Sequence, residues 1–227
     1  MNLNLNRTAA IVNGWIARNR LQYTLWASTL FSLTLLCCRI LHTGKMQYIS
    51  MVWNLFLAFI PYAITRYMLS WNYQFKATWI WTVSFLVWLA FLPNAPYILT
   101  DLFHLPKGGA PMWYDLFLLL SFAWNGLLMG YLSICEMESM WRTRYPKWSA
   151  ALFVFPVMFL CGMGVYIGRF MRWNSWDIVT NPFALLTEVG DILLHPWEFR
   201  AAWAFTICMG VFLSLVYPLI KKIPGRV

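Results

Sequence analysis
Six apolar stretches follow one another along the chain, and polar residues gather between them. Each is close to the ~20 residues that carry a helix across a ~30 Å hydrocarbon core. Their limits predict transmembrane helices over 21–41, 46–69, 77–104, 111–135, 148–172 and 201–220, all within a single membrane domain, 21–220. The fold class is therefore all-α, a polytopic bundle of six transmembrane helices. In the second helix, Pro61 is a kink position and Arg66 can snorkel to the head groups. The third starts after Lys76. The fourth carries Asp115 near its start and Asn125 and Gly126 at mid-depth, and a charged link follows from Glu136 to Lys147. The fifth contains Gly164 and Gly168 in G-x-x-x-G spacing, which lets a neighbouring backbone approach.

The connection from Trp173 to Arg200 is too polar to span. Asn181-Pro182 reads there as an N-cap with proline at the first helical position. Phe183, Leu186, Val189, Ile192 and Leu193 recur at helical spacing, with Glu188 and Asp191 opposite, so an interfacial helix is predicted over 182–194. In the N-terminal segment, 1–20, Ile11, Val12, Trp15 and Ile16 alternate with Arg7, Arg18 and Arg20. That amphipathic pattern suits the head-group region, and disorder is the alternative. Residues 221–227 form a tail.

One stretch breaks the segregation. Phe91-Leu92-Pro93-Asn94-Ala95-Pro96-Tyr97-Ile98-Leu99-Thr100-Asp101-Leu102-Phe103-His104-Leu105 places two prolines and several polar side chains inside apolar sequence. Polar groups at membrane depth are costly unless they are paired or face a cavity, so the stretch marks a functional hypothesis. Pro93 pushes the residue before it out of helical geometry, which predicts a third helix broken at 93–96. Asn94 can then cap a new helix, with Pro96 tolerated in its first turn. Continued as an α-helix, Asn94, Tyr97, Asp101 and His104 share one face.

Composition agrees with a membrane protein: 61% of the 227 residues are hydrophobic and 11% charged, against about a quarter charged in soluble domains. The net charge of +9 comes from basic residues at the ends of apolar runs, not from a patch or stripe. That distribution argues for lipid head groups as partners and against nucleic acid. With six helices both termini share a side. That side holds Arg7, Arg18, Arg20, Arg66, Lys76, Arg142, Arg144, Lys147, Lys221, Lys222 and Arg226, and the other holds Arg39, Lys45, Lys107, Arg169, Arg172 and Arg200. Eleven against six favours cytoplasmic termini. It also brings the broken helix, Asp115 and the 169–200 region to the same, outer face. The five cysteines lack C-x-x-C spacing and read as apolar packers. The first apolar run lacks a small-residue cleavage motif and is expected to be retained.

Three roles are open to Asp101 and His104. They could be two ligands of a divalent metal, with Asp115, Asp177 or His195 as the third. They could be a catalytic pair, His104 exchanging a proton and Asp101 orienting it. Or they could be a structural pair closing a turn at the lipid surface. No other cofactor is indicated.

A second constellation is Tyr166-Ile167-Gly168-Arg169-Phe170-Met171-Arg172-Trp173-Asn174-Ser175-Trp176-Asp177. Arg169 and Arg172 are one turn apart and suit a phosphate or carboxylate. The alternative is interfacial anchoring plus an internal ion pair of Arg169 with Asp101 or Asp177. No nucleophile elbow, P-loop, dinucleotide fingerprint or H-E-x-x-H is present.

The two blocks, Phe91 to Leu102 and Gly168 to Asp177, resemble the domain-of-unknown-function 1361 family of bacterial integral membrane proteins. The resemblance implies a polytopic protein of a bacterial inner membrane and carries no activity with it. The residues themselves predict an outward-facing polar site of an enzyme or binding protein for an anionic lipid or lipid-linked substrate. His104 and Asp101 are its catalytic candidates, and Asn94, Tyr97, Tyr166, Arg169, Arg172, Asn174 and Asp177 its binding candidates. A small transporter and a structural or assembly subunit are the alternatives.

Overall fold
The computed structural model describes the backbone of residues 2–70, 78–107, 109–174 and 176–222, with side chains from Arg20 onward except those of 106, 107, 178 and 179. The described residues are helical: α1 (Asn2–Thr43), α2 (Ser50–Ser70), α3 (Thr78–Phe91), α4 (Asn94–Tyr97), a 3₁₀ segment (Ile98–Lys107), α5 (Met112–Arg144), α6 (Ala151–Phe170), α7 (Asp177–Thr180), α8 (Pro182–Leu194) and α9 (Arg200–Lys221). Six spans are long and apolar enough to cross a membrane, the third running through α3, α4 and the 3₁₀ segment to Leu105. The protein is a polytopic helical membrane bundle.

Several limits differ from the sequence-based expectation. α1 begins at Asn2, so the predicted N-terminal segment and the first span are one helix. The side chains that would test its amphipathic pattern, from Arg7 to Arg18, lie outside the described ones. So do Lys76 and Ala77 at the predicted start of the third span, Ser175, and Arg226 in the tail. α5 continues nine residues beyond Cys135, through the expected charged link, to Arg144. Its acidic residues remain inside the helix because cations reach them. Glu136 accepts from Arg66 Nη1 at 3.0 Å and Thr65 Oγ1 at 2.7 Å. Glu138 accepts from Lys221 Nζ at 2.7 Å, from Arg142 Nε at 2.8 Å and from the Tyr217 hydroxyl. α6 stops at Phe170 because Arg172 turns into the left-handed region, φ 63°. α8 has the predicted limits, although Asn181 makes no side-chain capping bond.

α5 is the hub, with 67% of its apolar window buried. One apolar cluster packs Trp81, Trp88, Phe153 and Tyr217 against it, and a second packs Leu25, Leu36, Met51 and Phe122. Asn125 at its middle donates to Ser32 Oγ of α1 at 2.9 Å, a polar tie at membrane depth.

The break in the third span is wedged between two glycine pairs. A Cβ at Gly130 of α5 would lie 2.6 Å from Ala95 Cβ, and one at Gly126 would lie 3.0 Å from Ala95 O. On the other side, a Cβ at Gly164 of α6 would lie 2.6 Å from Pro93 Cγ, and one at Gly168 would lie 3.4 Å from the Tyr97 ring. The predicted Gly164–Gly168 face thus receives the proline turn. A second G-x-x-x-G, Gly126–Gly130, does the same from α5.

Candidate functional site
Pro93 stays in helical geometry (φ −60°, ψ −20°) at the N-cap of α4 and makes no side-chain cap. Asn94 is therefore already inside the turn, where it cannot adopt the extended backbone of a capping residue. Its Nδ2 instead donates backward to Phe91 O at 2.8 Å, while Ala95 N–H bonds Leu92 O. This corrects the expected Asn94 cap: the amide serves the end of α3 and not the start of α4.

Beyond Tyr97 the chain tightens into ten residues of 3₁₀ helix. Such runs rarely exceed three or four residues. At three residues per turn Asp101 and His104 stack directly, with Tyr97 and Thr100 stacked beside them. The α-helical phase expected from sequence omits Thr100, which the structure adds to the site.

Arg169, at the end of α6, reaches into this double row. Nη2 donates to Asp101 Oδ1 at 2.7 Å and Nε to Thr100 Oγ1 at 2.9 Å. Nη1 lies 3.4 Å from the Tyr97 hydroxyl and 3.3 Å from His104 Nε2, and the guanidinium sits 5.0 Å from the Tyr97 ring centroid. A guanidinium N–H can only donate, so the histidine contact requires a lone pair on Nε2, with the ring proton on Nδ1. The other Asp101 oxygen accepts from Asn54 Nδ2 of α2 at 2.9 Å. The side chains of Arg169 and Asp101 are 13% and 4% exposed, so this is a largely desolvated pair. Arg169 pairs with Asp101, as the internal-pair alternative anticipates, and His104 is a further contact of the same guanidinium.

A second buried pair lies beside it. Arg39 Nε and Nη2 meet the two Asp115 oxygens at 2.6 and 3.0 Å, and Gln47 Oε1 accepts from Nη2 at 2.9 Å. Tyr48 joins the pairs: its ring stacks 4.6 Å from the Arg39 guanidinium and its hydroxyl donates to His104 O at 3.0 Å. Arg39 and Asp115 are fully buried, so neither is a head-group anchor. Sequence reasoning missed Asn54, Thr100 and the Arg39–Asp115 pair.

Against this network lies a cavity of about 400 Å³ walled by α2, α3, α4, α6, α8 and the residues Trp173, Asn174 and Trp176. Trp53, Leu57, Leu89, Leu160 and Leu185 supply apolar wall, and Asn54, Asn94, Tyr97 and Asn174 supply polar wall. α8 is held over it by Trp173 Nε1, which donates to Glu188 Oε2, and by Trp203 Nε1, which donates to Ile192 O at 3.0 Å.

The remaining sequence candidates sit elsewhere. Tyr166 packs on Phe170 and Phe205, with ring centroids 5.0 and 6.0 Å away. Asp177 closes its own turn, accepting from Asn174 N at 2.7 Å, from Asn174 Nδ2 at 3.3 Å and from Thr180 Oγ1 at 3.2 Å. Arg172 and His195 are exposed. A metal set does not assemble among the described residues. Arg169 occupies the position against Asp101 and His104 that a cation would take, and Asp115 already holds Arg39.

No curated protein and no solved structure gives a significant match to the chain. A family model, described as "Protein of unknown function (DUF1361)", matches residues 53–216. That range contains the broken helix, both glycine pairs and the Arg169 network, and the chain belongs to this family.

Proposed function
We propose that the protein binds a lipid-like amphiphile in the cavity between α2, α3, α6 and α8, with the apolar part against Leu57, Leu89, Leu160 and Leu185. One observation carries this reading: a cavity of about 400 Å³ whose mostly apolar wall includes the polar side chains of Asn54, Asn94, Tyr97 and Asn174. Ligand sites take this form, mostly apolar with a few polar groups that set orientation. Asp101 and Arg169 lie behind this wall and hold Asn54 and Tyr97 in place by hydrogen bonds. The Arg169 charge is answered by Asp101 at 2.7 Å and is therefore a weak clamp for an anion. Both termini are cytoplasmic in this reading, and Arg39 and Arg169 drop out of the smaller set of basic residues because both are buried in ion pairs.

Retention of co-purifying amphiphile tests the reading by native mass spectrometry after exhaustive detergent exchange. The wild-type protein retains one ligand mass, and Val189→Trp, which fills the cavity from α8 while leaving the transmembrane core alone, loses it with an unchanged melting curve. Equal retention by both proteins, or none by either, overturns the proposal.

A further inference from the structure
The hydrogen-bonding capacity left in the cavity wall selects a head group. Asn54 Nδ2 is bound to an Asp101 oxygen and Asn174 Nδ2 to an Asp177 oxygen. A carboxylate only accepts, so both amide orientations are fixed by chemistry. Each asparagine can then offer a ligand both Oδ1, an acceptor, and the second N–H of its amide, a donor. Tyr97 adds a donor. Its oxygen faces the Arg169 Nη1 donor at 3.4 Å, so its own proton is the part of the hydroxyl left to give.

Asn54, Asn174 and Tyr97 thus offer two carbonyl acceptors, two amide N–H donors and one hydroxyl donor beside Trp53, Trp173 and Trp176. A phosphate or carboxylate accepts only; it could take the N–H and O–H donors but would leave both amide oxygens without a hydrogen bond. A quaternary ammonium neither donates a hydrogen bond nor accepts one. A hydroxyl does both, and its carbon-bound face suits the indole rings, which combine apolar surface with a polar edge. Resting on the amphiphile reading above, we infer that the cavity takes a neutral, polyhydroxylated head group on an apolar chain. Its hydroxyls donate to Asn54 Oδ1 and Asn174 Oδ1 and accept from the Tyr97 hydroxyl. A sugar and a glycerol share this chemistry.

The test is calorimetric titration of the protein, held in amphipol, with four amphiphiles of one chain length below their micelle concentrations. They are dodecyl maltoside, monolauroylglycerol, dodecyl phosphate and dodecyltrimethylammonium. The two neutral ligands should bind at least about tenfold tighter than the phosphate and the ammonium. Tyr97→Phe and Asn174→Leu should each weaken the neutral ligands by about threefold to tenfold, the loss of one hydrogen bond, and leave the ammonium unchanged. Tighter binding of maltoside than of the glyceride assigns the head group to sugars, and the opposite order assigns it to glycerol. Phosphate or ammonium binding as tightly as the neutral pair overturns the head-group inference while the amphiphile reading stands, and so does neutral binding that ignores both variants. If none of the four binds, both proposals fail.

Discussion

Removing both members of the Arg169–Asp101 pair should cost much less than the two single removals added together. The two side chains are 13% and 4% exposed and meet at 2.7 Å. Asp101→Ala takes the counter-charge from Arg169 and leaves the guanidinium with Thr100, Tyr97 and His104, none of which is anionic. Arg169→Ala leaves the Asp101 carboxylate with Asn54. Breaking a buried pair from one side costs about 3–5 kcal/mol, because the survivor stays desolvated and uncompensated. That is a hundredfold or greater fall in the folded-to-unfolded ratio, at ~1.4 kcal/mol per factor of ten. The double alanine variant buries no orphan charge, so the two losses should overlap by about 2 kcal/mol or more. The assay is unfolding in mixed micelles titrated with dodecyl sulfate, followed by tryptophan fluorescence, for wild type, both single variants and the double. Losses that add to within about 0.5 kcal/mol would refute the coupled pair.

Other outcomes follow from the same contacts. Gly164→Ala and Gly130→Ala each place a Cβ 2.6 Å from Pro93 Cγ or Ala95 Cβ. Each should destabilise by about 1–3 kcal/mol, whereas Gly190→Ala, with open space around it, should be neutral or gain up to ~1 kcal/mol in the same unfolding assay. Arg39→Ala strands a buried Asp115 carboxylate and should cost about 3–5 kcal/mol, and Arg39→Lys should recover only part of that because it lacks the two-pronged geometry. Burial pushes the Tyr48 phenol above its usual range. Its proton leaves the unfolded chain first, so stability from this group is intact below about pH 10 and lost as pH rises beyond it. Tyr48→Phe should therefore flatten the alkaline fall in stability measured between neutral pH and about pH 11; an identical slope in both proteins would contradict the assignment.

The spans were legible because apolar length is a strong signal, and the meeting of Asp101, His104 and Arg169 was legible because helix count and charge bias put both motifs at one end of the bundle. The continuation of α5 was not, since the cations that keep Glu136 and Glu138 in a helix come from Arg66 of α2 and Lys221 of α9, distant in sequence. Thr100 lies at the margin of the α-helical face that holds Asn94, Tyr97, Asp101 and His104, about 100° from Asp101, and the 3₁₀ phase stacks it on Tyr97, where Arg169 Nε reaches it. Two signals were present in the sequence. Gly126 and Gly130 repeat the spacing of Gly164 and Gly168. Arg39, flanked by Cys38 and Ile40 in the last turns of a span, faces Asp115 at the matching end of another.

Photolabelling in a bilayer reads out whether the cavity holds an apolar chain. A neutral amphiphile carrying a diazirine on its chain is crosslinked, and the modified residues are mapped by peptide mass spectrometry. The cavity account predicts labelling concentrated on Leu57, Leu89, Leu160 and Leu185, and its loss in Val189→Trp. Labelling spread over outward-facing residues such as Phe31, Phe117 and Leu215, with none on Leu57 or Leu185, would contradict it.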